Sequence, residues 1–295
     1  MKEKLQALRE RLVIDVLRLT PKGALSHVIG WGARRKLPKI LRAPLYRGFA
    51  RQVGANLDEV ERPLAEYARF NDFFTRNLVP GARGISATPG IAVMPCDGRV
   101  AEFGDVVDGR MLQCKGRDYS LRGLLGDDDM ALGFAGGRFA TIYLSPKDYH
   151  RVHSPAEGTI TGWQHLPGAF YPVNPAAVKH VAGLFTVNER IVTYLDPPLG
   201  ACALVMVAAT GVGHMTMAYD AVETHRQRRK PYRVRYDAPR PIERGGELGA
   251  FNLGSTVVMV WQRGRIEWTG LRQGEMVRLG QPMARALAAR SGAAA

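Results

Sequence analysis

Leu253-Gly254-Ser255-Thr256-Val257-Val258-Met259-Val260-Trp261 is the most informative stretch of this chain. Behind the Gly-Ser pair runs a short, uncharged, β-branched segment, Thr256–Val260. A run this short, with no polar alternation, suits a central strand buried on both faces. Ala203–Ala209 has the same character. Working outward, shorter β-prone stretches occur at Ala92–Met94, Phe139–Leu144, Gly158–Trp163, Arg190–Tyr194 and Met276–Leu279, each set off by Gly or Pro. The 33 Gly and 18 Pro favour many turns over a plain helical bundle. Up to about residue 78 the patterning is helical instead. The expected class is α+β: a helical region over 1–80 on a β-rich body over 81–295, barrel- or sandwich-like. There is no repeat of fixed period.

The composition narrows the function classes. Of 295 residues, 46% are hydrophobic, which excludes global disorder. There is no run of 18 apolar residues, and the best candidate, Ala201 to Tyr219, is interrupted around Gly211, Gly213 and His214. A membrane-spanning helix is not expected. Three cysteines (Cys96, Cys114, Cys202) make no disulfide framework and suggest a reducing compartment. The opening Met1-Lys2-Glu3-Lys4 is not followed by the apolar stretch of a secretory signal.

The net charge of +14 is concentrated near the start. Residues 1–51 hold 13 Lys or Arg and three acids, +10, leaving +4 for the rest. A second basic cluster is Arg226, Arg228, Arg229, Lys230, Arg233 and Arg235. Leu5, Leu8, Leu12, Val16 and Leu19 follow helical spacing, and Arg34-Arg35-Lys36-Leu37-Pro38-Lys39-Ile40-Leu41-Arg42 is basic and apolar together. Two readings fit. One is a helical region lying in an anionic membrane interface, where each Lys or Arg contributes about 1 kcal/mol. The other is a helical cap with a solvated basic face. No nucleic-acid fold signature accompanies the charge, so no nucleic-acid partner is expected.

Three places hold groups suited to chemistry. Gly254-Ser255 lies at a loop-to-strand junction, without the second Gly of a nucleophile elbow. His150-Arg151-Val152-His153 brings two imidazoles together; the remaining His and Cys offer no further ligands at zinc spacing, so no metal is expected. Pro95-Cys96-Asp97-Gly98-Arg99 is a turn ending a short strand. Together they supply a Ser, a His and an Asp. A Ser hydroxyl becomes a nucleophile only when a base takes its proton and an acid orients that base. Each place also has an ordinary structural explanation, and composition alone does not choose.

Several longer motifs do choose. The chain contains Phe70-Asn71-Asp72-Phe73-Phe74-Thr75-Arg76, Cys96-Asp97-Gly98-Arg99, Lys115-Gly116-Arg117-Asp118-Tyr119-Ser120-Leu121 and Leu144–His153. Further on come His165-Leu166-Pro167-Gly168, Leu184–Arg190, Gly249–Thr256 and Gly280-Gln281-Pro282. In this order they resemble the pyruvoyl-dependent phosphatidylserine decarboxylase family through most of the chain, and least over the first 45 residues.

The resemblance implies self-cleavage between Gly254 and Ser255, giving chains 1–254 and 255–295 that stay together as a heterodimer, which could dimerise further. It implies that Asp97, His153 and Ser255 form the self-cleavage triad, with His153 as base and Asp97 fixing its tautomer. Ser255 would become the covalent pyruvoyl cofactor, which takes the amine of phosphatidylserine as a Schiff base and leads to CO2 and phosphatidylethanolamine. His150 is implied in the decarboxylation step. Arg190, Lys179 and Lys147 are basic residues available to the headgroup phosphate. The implied location is peripheral, on the cytoplasmic face of the cell membrane. Cys96 replaces a usual small residue, and His214 stands where Ser is common. Two alternatives are an unprocessed relative that binds anionic phospholipid, and a pyruvoyl decarboxylase of a soluble amino acid.

Overall fold

The computed structural model describes residues 30–126, 128–210, 214–222, 224, 230–252 and 255–287. The expected N-terminal amphipathic segment over residues 5–19, Gly254 of the expected cleavage site, and Arg226, Arg228 and Arg229 lie outside the described residues.

Residues 30–33 are helical, and after them comes α1 (Lys39–Val53), which ends on Gly54 in the left-handed conformation (φ 78°) that a glycine adopts without strain. Only Tyr46 and Ala50 of α1 are buried. A 3-10 turn (Leu64–Glu66) and the short helix α2 (Phe70–Phe74) complete the region. Its small core is aromatic: Tyr46 stacks on Phe73 at 4.6 Å between ring centroids, and the Tyr46 hydroxyl donates to the Tyr67 carbonyl at 2.9 Å.

The body follows with β1 (Ile91–Val93), β2 (Gly98–Asp105), β3 (Arg110–Cys114), β4 (Arg117–Ser120), β5 (Arg138–Leu144), β6 (Arg151–His153), β7 (Gly158–Leu166), β8 (Arg190–Asp196), β9 (Cys202–Ala208) and β10 (Met215–Met217). The last strands are β11 (Tyr232–Ile242), β12 (Glu247–Phe251), β13 (Ser255–Trp261), β14 (Ile266–Trp268), β15 (Met276–Val277) and β16 (Pro282–Ala286). Eight of them form one antiparallel sheet in the order β11-β7-β8-β9-β13-β5-β2-β15. Two three-stranded sheets, β1-β16-β14 and β10-β12-β6, accompany it.

The two apolar runs are the interior strands the sequence suggests. Every residue of β9 and of β13 is buried, and β13 lies between β9 and β5. Alternate residues feed two cores. Leu144, Met206, Val257 and Met259 join Val152, Met215 and Phe251 of the β10-β12-β6 sheet on one face. Val205, Val207, Val258 and Val260 join Leu121, Leu124, Leu184 and Phe185 on the other. The latter come from short helices within the body, Leu121–Leu125 and Leu184–Val187. Helix is thus not confined to the N-terminal region. The second face of a doubly covered sheet requires such a layer.

β11 is absent from the sequence reading for a physical reason. Tyr-Arg-Val-Arg-Tyr-Asp-Ala-Pro-Arg-Pro-Ile is charged and carries two prolines, and it forms the edge of the large sheet. An edge strand tolerates missing donors, and its charges discourage further pairing.

Candidate active site

Three chain segments converge around the head of β13. Ser255 is its first residue, paired with Leu144 on β5 and Ala208 on β9. The turn after Leu144 leads to His150, whose carbonyl accepts from the Phe251 amide at the end of β12. The third segment carries Asp97: the Pro95 carbonyl accepts from the His153 amide at 2.8 Å. Gly98 lets this segment close on β5, because a Cβ there would lie 2.6 Å from the Tyr143 carbonyl oxygen.

The Ser255 hydroxyl is fully buried and has no hydrogen-bond partner among the described residues. His153 is 9% exposed; its Nδ1 lies 2.8 Å from the Gly245 carbonyl oxygen, and its Nε2 lies 3.3 Å from the Tyr149 hydroxyl. A carbonyl only accepts, so Nδ1 carries the proton and Nε2 presents the lone pair of a base. Burial lowers the His153 pKa, against the opposing effect of the Gly245 carbonyl.

The tautomer of His153 is therefore held by a backbone carbonyl, which corrects the expectation that Asp97 holds it. The Asp97 carboxylate is committed elsewhere. Arg83 grips both oxygens, at 2.9 and 3.1 Å from Nε and 2.5 Å from Nη2, and the Leu279 amide donates to Oδ1 at 2.9 Å. Arg83 also bonds Glu59 at 2.9 Å. Asp97 acts on His153 through its charge, which raises the imidazole pKa.

His150 is completely buried. Its Nδ1 lies 2.8 Å from the Asp148 carbonyl, its ring packs on Phe74 at 4.1 Å, and Nε2 has no partner among the described residues. The same reasoning puts the proton on Nδ1 and the lone pair on Nε2. Burial lowers its pKa to about 3, with the charge of Arg76 acting in the same direction. His150 is neutral at pH 7 and in this tautomer accepts a proton at Nε2.

The Phe70–Arg76 motif has a use that its residues alone did not disclose. Asn71 Nδ2 donates to Asn252 Oδ1 at 2.8 Å, and Asn252 Nδ2 lies 2.7 Å from His214 Nδ1. Phe74 backs His150, and the Thr75 carbonyl accepts from Arg151, which pairs with Glu247 at 2.8 Å. Arg76 donates to the Lys147 carbonyl at 3.3 Å. The motif thus clamps the helical region onto the segments that carry the histidines and lead to Ser255. Tyr149 is a further site residue that sequence reasoning passed over; its place in Leu144–His153 was the available signal.

A cavity of about 280 Å³ opens beside Asp97, lined among others by Arg76, Arg83, Lys147, Tyr149 and Arg278. Of the three basic residues considered for the headgroup, Lys147 lies on this cavity. Arg190 does not serve: it is 5% exposed, and its guanidinium is consumed by the carbonyls of Gly123, Leu124, Thr186 and Asn188. Burial lowers its pKa to about 10.

Fold and site define an α+β enzyme built around a buried serine and two histidines of fixed tautomer. The family model described as phosphatidylserine decarboxylase matches residues 70–285. A phosphatidylserine decarboxylase proenzyme of Anaeromyxobacter sp. is 46% identical over 279 residues, covering 94% of this chain and 99% of the relative. Proteins of the same description from Myxococcus xanthus and Saccharophagus degradans are 44% and 40% identical, covering 93% and 92% of this chain and 98% of each relative. The chain belongs to the phosphatidylserine decarboxylase family. It is a carboxy-lyase made as a proenzyme.

Proposed function

We propose that the chain cuts itself between Gly254 and Ser255, that residue 255 becomes a pyruvoyl group, and that the product decarboxylates phosphatidylserine at a membrane surface. The observation that carries this reading is the Ser255 hydroxyl, buried without a partner among the described residues at the head of one of the two central strands. A buried hydroxyl without a hydrogen bond costs stability, and a catalytic role is one reason to keep it.

His153 Nε2, once released from the Tyr149 hydroxyl that it meets at 3.3 Å, is the base for the Ser255 proton. The Ser255 oxygen bonds to the Gly254 carbonyl carbon, the peptide C–N bond breaks, and an ester joins the two residues. Elimination across Cα–Cβ of residue 255 then releases the Gly254 carboxylate and leaves dehydroalanine, which water hydrolyses to the pyruvoyl carbonyl with loss of ammonia. Proximity within one chain supplies much of the rate. Asp97, fixed by Arg83 and the Leu279 amide, supplies the negative charge that favours a protonated His153.

A carbonyl group at residue 255 fits the surroundings, since the apolar Leu144 and Ala208 flank it on the neighbouring strands. When present, that group supplies an electron sink for the pair released from the substrate's Cα–carboxylate bond. His150, neutral and dry against Phe74, holds or moves a proton at Nε2.

The membrane reading is supported by α1 and its approach. Ile40, Leu41 and Leu45 are 83%, 54% and 47% exposed, and Trp31 is 57% exposed. Lys36, Lys39 and Arg47 accompany them. Exposed apolar side chains among cations suit an anionic bilayer interface.

The test is direct. The purified protein is expected as two chains of 254 and 41 residues, releasing CO2 from phosphatidylserine vesicles. Ser255→Ala is expected as one inactive chain. Cleavage that survives in Ser255→Ala rules out this nucleophile.

A further inference from the structure

Glu189 and His165 form a buried pair that the chemistry above does not use. Glu189 Oε1 lies 2.9 Å from His165 Nε2, and each side chain is 6% exposed. The second carboxylate oxygen, Oε2, is buried and has no hydrogen-bond partner among the described residues. Such an atom is expensive to keep and needs an explanation.

Strand register relates this pair to the reacting residue. Ser255 stands opposite Ala208. The Ala208 amide donates to the Glu189 carbonyl at 2.9 Å, which continues the β8–β9 ladder one residue beyond Arg190 and Val207. Opposed residues of antiparallel strands project from the same face. Ser255, Ala208 and Glu189 therefore form one row on the face that Ile191, Met206 and Val257 also line. Two strand spacings, about 9–10 Å, separate the Cα atoms of Glu189 and Ser255. Only the Ala208 methyl stands between them in that row.

A primary amine at neutral pH is mostly ammonium, since its pKa lies between about 8 and about 10. Ammonium nitrogen has no lone pair and does not attack a carbonyl carbon. A site that takes up an amine at residue 255 therefore needs a nearby acceptor for one proton. Glu189 Oε2 is an acceptor without a donor, and its charge attracts the cation.

We propose that Glu189, held by His165, binds the ammonium group of the substrate and takes one proton from it beside residue 255. One N–H bond breaks, one O–H bond forms at Oε2, and the freed lone pair is available to the carbonyl carbon; no oxidation state changes. His165 is the positioning residue, its Nε2–H occupying Oε1 and leaving Oε2 for the substrate. The inference rests on the reading of residue 255 as the source of an electrophilic carbonyl.

The ionisable groups on this face include Asp220, which accepts from Trp163 two residues before His165, and Tyr236, which donates to Asp220. Arg190 on β8 turns its guanidinium to backbone carbonyls, and Tyr232 on β11 lies opposite His165. On the elements packed over this face are His150, His153, His214, Glu247, Arg151 and Tyr219. All are shared by the variants below.

The experiment uses the processed protein with sn-glycero-3-phosphoserine, the soluble headgroup. Borohydride trapping is followed from about pH 6 to about pH 10, by the mass of the chain that begins at residue 255. The parent protein traps the amine at neutral pH. Glu189→Gln is expected to be cleaved into two chains, to trap about a hundredfold more slowly at pH 7, and to recover as the pH passes the amine's own pKa. His165→Gln is expected to lose less and to recover over the same pH range. An unchanged rate at pH 7 in Glu189→Gln, or an equal loss at every pH, overturns the proposal. If Glu189→Gln does not self-cleave, Glu189→Asp and His165→Gln carry the same pH comparison. A parent protein that traps nothing at any pH overturns the reading of residue 255, and the proposal with it.

Discussion

Acid should destabilise this protein through His150, by an amount that follows from its burial. The imidazole titrates near 6.5 in an unfolded chain and is lowered to about 3 in the fold. Between those values the unfolded state binds the extra proton, so stability is present above about pH 6.5 and is lost as the pH falls towards 3. At pH 5 the single group costs about 2 kcal/mol, and at pH 7 only about 0.2 kcal/mol. No solvent discount applies, because His150 is fully buried. The assay is urea denaturation of Ser255→Ala, which keeps one chain and so a unimolecular transition, with and without His150→Gln. The parent should lose about 2 kcal/mol more than the His150→Gln variant between pH 7 and pH 5. His153, whose pKa is also lowered by burial, is present in both proteins and cancels in the difference. Equal losses in the two proteins would show that His150 is not the dry, neutral group described.

Three other perturbations test separate contacts. Asn71→Leu leaves the 93%-buried Asn252 carboxamide without its donor, should cost about 1–3 kcal/mol and should slow self-cleavage on a gel time course; an unchanged rate counts against the clamp. Arg83→Met strands Asp97 and Glu59 and should cost about 3–5 kcal/mol in chemical denaturation, whereas a loss below about 1 kcal/mol would mean a solvated pair. Replacing Ile40, Leu41 and Leu45 together by Asp should weaken co-sedimentation with anionic vesicles without preventing self-cleavage; undiminished binding would move the docking surface elsewhere.

Much of the fold was legible because hydrophobic patterning is local. Ser255–Trp261 and Cys202–Ala208 are interior strands because β-branched and apolar residues without alternation have nowhere else to go. β11 escaped notice because it is an edge strand, where charge and proline are permitted, whereas β2, β12 and β16 escaped although each has a strand on either side. The body helices at Leu121–Leu125 and Leu184–Val187 escaped because each is a single short turn, too brief for periodicity to register. The site was legible as a set of residues, through motifs, and illegible as a set of bonds.

The sequence by itself determined the class of fold, the family and the residues worth watching: Asp97, His150, His153 and Ser255. Tertiary structure alone decided what each of them touches. His153 takes its tautomer from Gly245, 92 positions away, while Asp97 answers to Arg83 and to Leu279, 182 positions away. Arg190, one of three basic residues considered for the phosphate, spends its charge on the carbonyls of Leu124 and Thr186. Glu189 and His165 became a pair only when β7, β8 and β9 aligned in register with β13. The physical reason is that burial follows from the neighbours along the chain. A hydrogen-bond partner is whichever group the packed sheets bring within 3 Å or so, and no local pattern encodes that choice.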